Sequence, residues 1–259
     1  MKKFKKICIS CDAKMKKPTK EHFWPKWLIR HTNMTKHKIH WMSGGVKVYP
    51  LTATIPLCLS CNSEFGSKLE KPMMDLLVDI ESGKGISDNE AEIFVRWAWK
   101  MEAFSWRINL PDNQYSGVYT VKERILKSID SIRGNLVLAV SLIKDPYQGK
   151  DYLPMGLCNE NDINAIVMSG VIGKVAFIVL TTDQVGKLPL QFSYYRLKSL
   201  RDSLGDAKLF YPEEGFATFK AAQDLTRDAA SLISYSFDKE NAELIKKTKM
   251  EERGGVIEI

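Results

Sequence analysis

Residues 58–70 read CLSCNSEFGSKLE, a Cys-x-x-Cys pair running into a helical pattern, and residues 8–11 read CISC, a second pair of the same spacing. Each pair forms a tight turn that offers two thiolates, and two pairs complete a tetrahedral four-sulfur site for zinc. Cys8, Cys11, Cys58 and Cys61 are therefore the expected ligands of a structural Zn2+ ion. With four protein ligands such an ion has no open position for a substrate, so any catalysis must come from other residues. The paired spacing suits metal better than disulfides, and two pairs fit poorly with a thioredoxin-like redox site. Cys158, in MGLCNEND, has no partner nearby in sequence and reads as a structural thiol.

The segment that holds these pairs is short of apolar surface and rich in turns, with Pro18, Pro25, Pro50, Pro56, Gly44 and Gly45. A chain of that kind needs a staple to fold. On either side of Gly44-Gly45, KIHWM (38–42) and VKVYPLTATIPL (46–57) alternate in places, as in a hairpin. The helical pattern runs from Asn62 through Leu69, and Pro72 allows another turn to begin near Met73.

Farther on, Ser87 and Glu90 form a capping-box signature before Val95, Trp97, Ala98, Met101 and Phe104, the stripe of a long buried helix. Thr120 and Glu123 repeat it for a helix from about 121 to 132. Then the period changes: NLVLAVSLI (135–143), AIVMSGVI (165–172) and KVAFIVLTT (174–182) read as strands, with Gly173 at the turn between the last two. A final helix is expected from about Ala217 to Tyr235, and the charged tail from Asp238 frays. The fold class is α+β, with a zinc-stapled module over residues 1–75 and a larger helix-plus-sheet domain over 76–259.

Charge follows the cysteines. Residues 1–50 carry thirteen lysines and arginines against Asp12 and Glu21, a balance of +11, so the remainder holds −4 of the total +7. A basic run can be simple solvated surface, but beside a metal motif it points to a polyanion, and nucleic acid is the expected partner. No apolar run is long enough for a membrane helix, and the lysine-rich start leads into no apolar stretch of signal-peptide type. The expectation is a cytoplasmic protein with no membrane partner.

Between the cysteine pairs lies EHFWPKWL, residues 21–28. Cys-x-x-Cys, Glu-His-x-x-Pro and Cys-x-x-Cys-Asn leading into a helix resemble the zinc-containing branch of the HNH endonucleases, whose fold is the ββα-metal finger. With RWAWKMEAF (96–104) the chain is also similar to bacterial HNH-like proteins that carry a C-terminal extension. The likeness is good over residues 7–70, weak over 71–106, and nothing is carried over beyond. It implies a metal-dependent phosphodiester hydrolase acting on DNA, in which Glu21 and Asn62 hold Mg2+ or a similar divalent ion and His22 is the general base. The size of the second domain suggests, separately, that it could bind a protein or small effector and gate the finger, as in bacterial defence. A homodimer or a protein partner bound through residues 76–259 would serve two-strand cutting or gating.

Each residue has a plainer reading. Glu21 and His22 could be a surface pair, and Asn62 could cap the following helix. Trp24, Pro25, Trp27 and Leu28 read as core, with base stacking the minor alternative. His31, His37 and His40 read as surface or phosphate-contacting groups. Two departures from the family pattern also stand out: Ala53 occupies the place of a middle asparagine that orients the base, and Phe65-Gly66 occupies that of a late histidine or lysine. They motivate an alternative function, a catalytically silent, zinc-stapled nucleic-acid-binding module.

Overall fold

A computed structural model describes residues 7–41, 46–109, 120–123, 125–126, 133–145, 156–159 and 168–230. The chain begins with a turn, closed by Cys8 N–H to Ala13 O at 2.9 Å, in which Asp12 takes the left-handed conformation at φ 57°. There follow β1 (Thr19–His22), α1 (Lys26–His31), the paired strands β2 (Ile39–Trp41) and β3 (Val46–Val48), and then β4 (Thr54–Leu57). The hairpin flanking Gly44-Gly45 has Ile39 opposite Val48, but the alternating run does not continue as one strand. Pro50–Thr52 forms a 3-10 turn, and the rest of the run pairs antiparallel with β1 instead, Glu21 opposite Ile55 and His22 opposite Thr54. Proline has no N–H to donate to a ladder, which is why the run divides there.

The helix after the second cysteine pair starts earlier than the sequence suggests. α2 spans Leu59–Phe65, and Cys58 is its N-cap, with Sγ accepting the Cys61 N–H at 3.4 Å. A further helical segment does begin beside Pro72, which stands in its first turn. A turn of π-helix, Gly66–Glu70, joins α2 to α3 (Lys71–Glu81) without a break. The wider turn absorbs the absent proline N–H and the clash of its ring with the preceding turn.

After β5 (Ile86–Ser87), α4 spans Asp88–Asn109. The capping box at its head is made in both directions, Ser87 N–H to Glu90 Oε2 at 2.7 Å and Glu90 N–H to Ser87 Oγ at 3.2 Å. Thr120 and Glu123 make the same pair and open the helical turn Val121–Glu123. Beyond residue 126 the helix expected there lies outside the described residues.

The valine- and isoleucine-rich segments form one sheet: β6 (Leu136–Asp145), β7 (Gly156–Asn159), β8 (Met168–Ile172), β9 (Val175–Thr181), β10 (Ser193–Arg196) and β12 (Glu214–Thr218), while β11 (Lys208–Phe210) pairs with β5. The order is β10-β6-β9-β8-β7, antiparallel, with β12 alongside β6 in parallel. The last helix begins one to two residues later than expected, because Ala217 and Thr218 still belong to β12; it is described over 219–230, and its expected end lies outside the described residues. Cys158 stands on β7 opposite Ser169, and its side chain lies outside the described residues.

Both faces of the central strands are covered, the reason these segments read as nearly continuous apolar runs. Val137, Ala139, Ile178 and Leu180 pack with Phe192, Phe216 and Phe219. On the other face, Leu138, Val140, Phe177 and Val179 belong to an apolar cluster that extends through α4 and α3 to Leu28, Cys61 and Cys8. Position 75, where the two-domain expectation placed its boundary, falls inside α3, and this cluster crosses it. Asp88 fixes the head of α4 by accepting from Arg133 Nη2 at 2.7 Å, the Lys198 N–H at 3.0 Å and Ser203 Oγ at 2.9 Å. Burial works against its charge, yet the Lys198 amide and the Arg133 guanidinium hold its carboxyl below the usual range.

Candidate metal centre and adjoining groove

The four cysteines converge. The sulfurs of Cys8, Cys11, Cys58 and Cys61 all lie within 4.8 Å of one another, the one such group of potential metal ligands among the described residues. Cys11 Sγ and Cys58 Sγ are 3.9 Å apart, far beyond a disulfide bond and close to the ~3.8 Å edge of a tetrahedron with Zn–S bonds of about 2.3 Å. The first pair is tied to β4 by the Ile9 N–H to Pro56 O bond at 3.2 Å, and to the later chain by the Lys122 N–H to Ser10 O bond at 2.8 Å. Cys8 and Cys61 are buried, Cys11 and Cys58 half-buried. Burial raises the Cys11 and Cys61 thiols; at Cys58 burial also pushes upward, but the Cys61 N–H and the neighbouring Cys61, Cys11 and Cys8 thiols together draw it down. Four soft, deprotonatable donors at this spacing fit a metal ion and are compatible with structural zinc.

Glu21, His22 and Asn62 line a single open groove of about 440 Å³, together with Lys20, Pro25, Lys26, Trp27, Arg30, Gly66 and Glu70. β1 brings the acid and the imidazole to its last two positions, and α2 brings the amide to its first turn. Asn62 is not the helix cap. Its N–H already bonds Cys58 O at 3.0 Å inside the helix, and the Cys58 sulfur has taken the capping role. Lys20, Lys26 and Arg30 are exposed at the rim.

Burial, reinforced by the nearby Lys26 cation, lowers the His22 pKa, while the Leu51 carbonyl pulls the other way. The imidazole is therefore neutral at pH 7, the form that can accept a proton. Burial raises the Glu21 carboxyl and Lys100 opposes it, with the Glu70 charge adding to the rise. Trp24, Pro25 and Leu28 are buried as core, and Trp27 is half-buried against Trp97 with ring centroids 5.7 Å apart. Ala53 is buried and accepts the Phe23 N–H at 2.9 Å; Phe65 is buried edge-on against Phe104.

His31 departs from the surface reading. Its Nε2 lies 2.8 Å from Glu81 Oε2, and Glu81 Oε1 accepts the Lys174 N–H at 2.9 Å, so one carboxylate joins the end of α1 to the β8–β9 turn.

The group that the sequence reading missed is Lys100. It is completely buried on α4, with Nζ 3.2 Å from Glu21 Oε1 and in contact with Glu70 Oε1. Trp27 Nε1 donates to the other Glu70 oxygen at 2.6 Å. Burial alone would pull this ammonium down, but the Glu70 and Glu21 carboxylates prevail and raise its pKa. A signal was present: Lys100 falls between Trp97 and Phe104 on the apolar stripe of α4, and a lone charge on a core-facing stripe demands a buried partner.

No protein-family model, no curated protein and no solved structure matches this chain. Among the described residues no helix is long and apolar enough to cross a membrane.

Proposed function

We propose that this protein is a metal-dependent HNH-type endonuclease acting on DNA, with β1, β4 and α2 as its ββα-metal finger and the four cysteines holding structural zinc. The observation that carries the reading is the meeting of Glu21, His22 and Asn62 in one groove beside the cysteine cluster. A carboxylate and an amide oxygen are hard donors suited to Mg2+, which completes its shell with water and substrate oxygens. Glu21 and Asn62 would hold this ion, and when bound it supplies stabilisation of the charge that grows on the phosphate and on the departing 3′ oxygen.

The chain's own residues account for the rest. His22, neutral and half-buried, takes a proton from water, and the resulting hydroxide attacks phosphorus as the P–O3′ bond breaks. The product ends would be a 5′ phosphate and a 3′ hydroxyl. Lys20, Lys26 and Arg30 neutralise phosphates along the rim. Cleavage of supercoiled plasmid should require added Mg2+ or Mn2+ and should fall at least a hundredfold in Glu21→Gln. Zinc-loaded protein inactive on DNA and RNA with every divalent ion would refute the reading.

A second reading, a silent nucleic-acid-binding module, is favoured by Ala53 and Phe65, which occupy two of the family's polar positions with apolar side chains packed into the core. It predicts binding that weakens steeply with salt, as counterion release requires, and is indifferent to Glu21→Gln and His22→Ala.

A further inference from the structure

We infer that Lys100 is a positioning residue for the candidate metal ligand Glu21, holding its Oε1 so that the carboxylate keeps one orientation in the groove where it would hold the divalent ion; this rests on the nuclease reading above. The geometry is a closed relay. Both Glu70 oxygens are committed, one to Lys100 and one to Trp27 Nε1. Lys100 Nζ, flanked by the rings of Phe65 at 5.5 Å and Phe104 at 5.3 Å, has no solvent to turn toward and reaches Glu21 Oε1. Among the described residues Glu21 Oε2 has no hydrogen-bond partner, and Glu21 lines the groove.

Two carboxylates and one ammonium leave a single negative charge in this cluster, and Glu21 is the acid with an oxygen to spare. Without the ammonium, Glu21 would be free to rotate. Its repulsion from Glu70 would also be unscreened, in a place where low polarity strengthens it. The lysine belongs to α4, whose head is locked to β10 and the following loop through Asp88, so the tether comes from a rigid support.

The test is a Mn2+ titration of the full-length, zinc-loaded chain, following free Mn2+ by electron paramagnetic resonance beside plasmid cleavage. Lys100→Met should raise the half-saturating Mn2+ concentration tenfold or more and should make Glu21→Gln nearly silent on that background. Because Lys100→Met leaves Glu70 buried and uncompensated, Lys100→Met with Glu70→Gln is the companion variant, which removes the pair together and keeps the fold. It should show the same shift with unchanged zinc content. Mn2+ affinity within twofold of wild type, or tighter, in the folded double variant, whose cluster charge equals that of wild type, would overturn the inference. Wild-type protein with no Mn2+ binding sensitive to Glu21→Gln would instead bring down the nuclease reading, and this inference with it.

Discussion

Cys11 Sγ stands 3.9 Å from Cys58 Sγ, although 47 positions separate the two in the chain. That contact closes the loop holding β1, α1 and the β2–β3 hairpin, and it carries Glu21 and His22 to the same groove as Asn62. Loss of the metal should therefore undo the groove as well as the cluster. Cys11→Ser should lower zinc content below one ion per chain, measured by atomic absorption, and reduce stability by several kcal/mol, because binding energy at a structural site is folding energy. Retained thermal stability in a zinc-free Cys11→Ser protein would contradict this.

The His31–Glu81 pair predicts a pH dependence of stability with a definite sign. The hydrogen bond to Glu81 raises the His31 pKa above 6.5 against the opposing effect of burial. The folded state thus binds the proton more tightly than the unfolded chain. The contribution is fully present below the unfolded value and fades as pH rises through the raised folded one. The urea-unfolding difference between wild type and His31→Gln should be about 1 kcal/mol larger at pH 6 than at pH 9, on the scale of a partly exposed ion pair. An equal difference at both pH values would refute it.

Gly173 reports on the same clasp from the other side. Its φ is +54°, and a Cβ there would lie 2.2 Å from Glu81 Oε1. Gly173→Ala combines left-handed strain of about 1 kcal/mol or more with displacement of the carboxylate that holds His31 and the Lys174 N–H. It should destabilise the protein by about 2 kcal/mol in urea unfolding and flatten the pH dependence attributed to His31. A destabilisation without loss of that pH dependence would show that Glu81 keeps its partner.

Much of this was legible in the sequence where one residue type admits one physical solution. The two Cys-x-x-Cys pairs announced their convergence, Ser87 with Glu90 announced the head of α4, and the valine-rich runs announced strands. Pro72 marked the start of a further helical segment but not the wide turn that joins it to α2, because a missing N–H can be absorbed by such a turn as well as by a break. In the sequence the helix start falls late, at Asn62, because a cysteine sulfur one turn earlier can cap the helix. Lys100 went unread because its partners, Glu21 and Glu70, are distant in sequence and only the placement of α4 beside the Gly66–Glu70 turn and β1 brings them together. His31 was hidden for the same reason, its partner Glu81 lying on α3.

The role proposed for His22, base of an assembled site, stands or falls on the nicking rate of His22→Ala on supercoiled plasmid in saturating Mg2+. General-base loss lowers a rate by roughly 10²–10⁴. A drop of that size is expected, with zinc content and melting temperature unchanged. A His22→Ala protein that nicks DNA at the wild-type rate would contradict it.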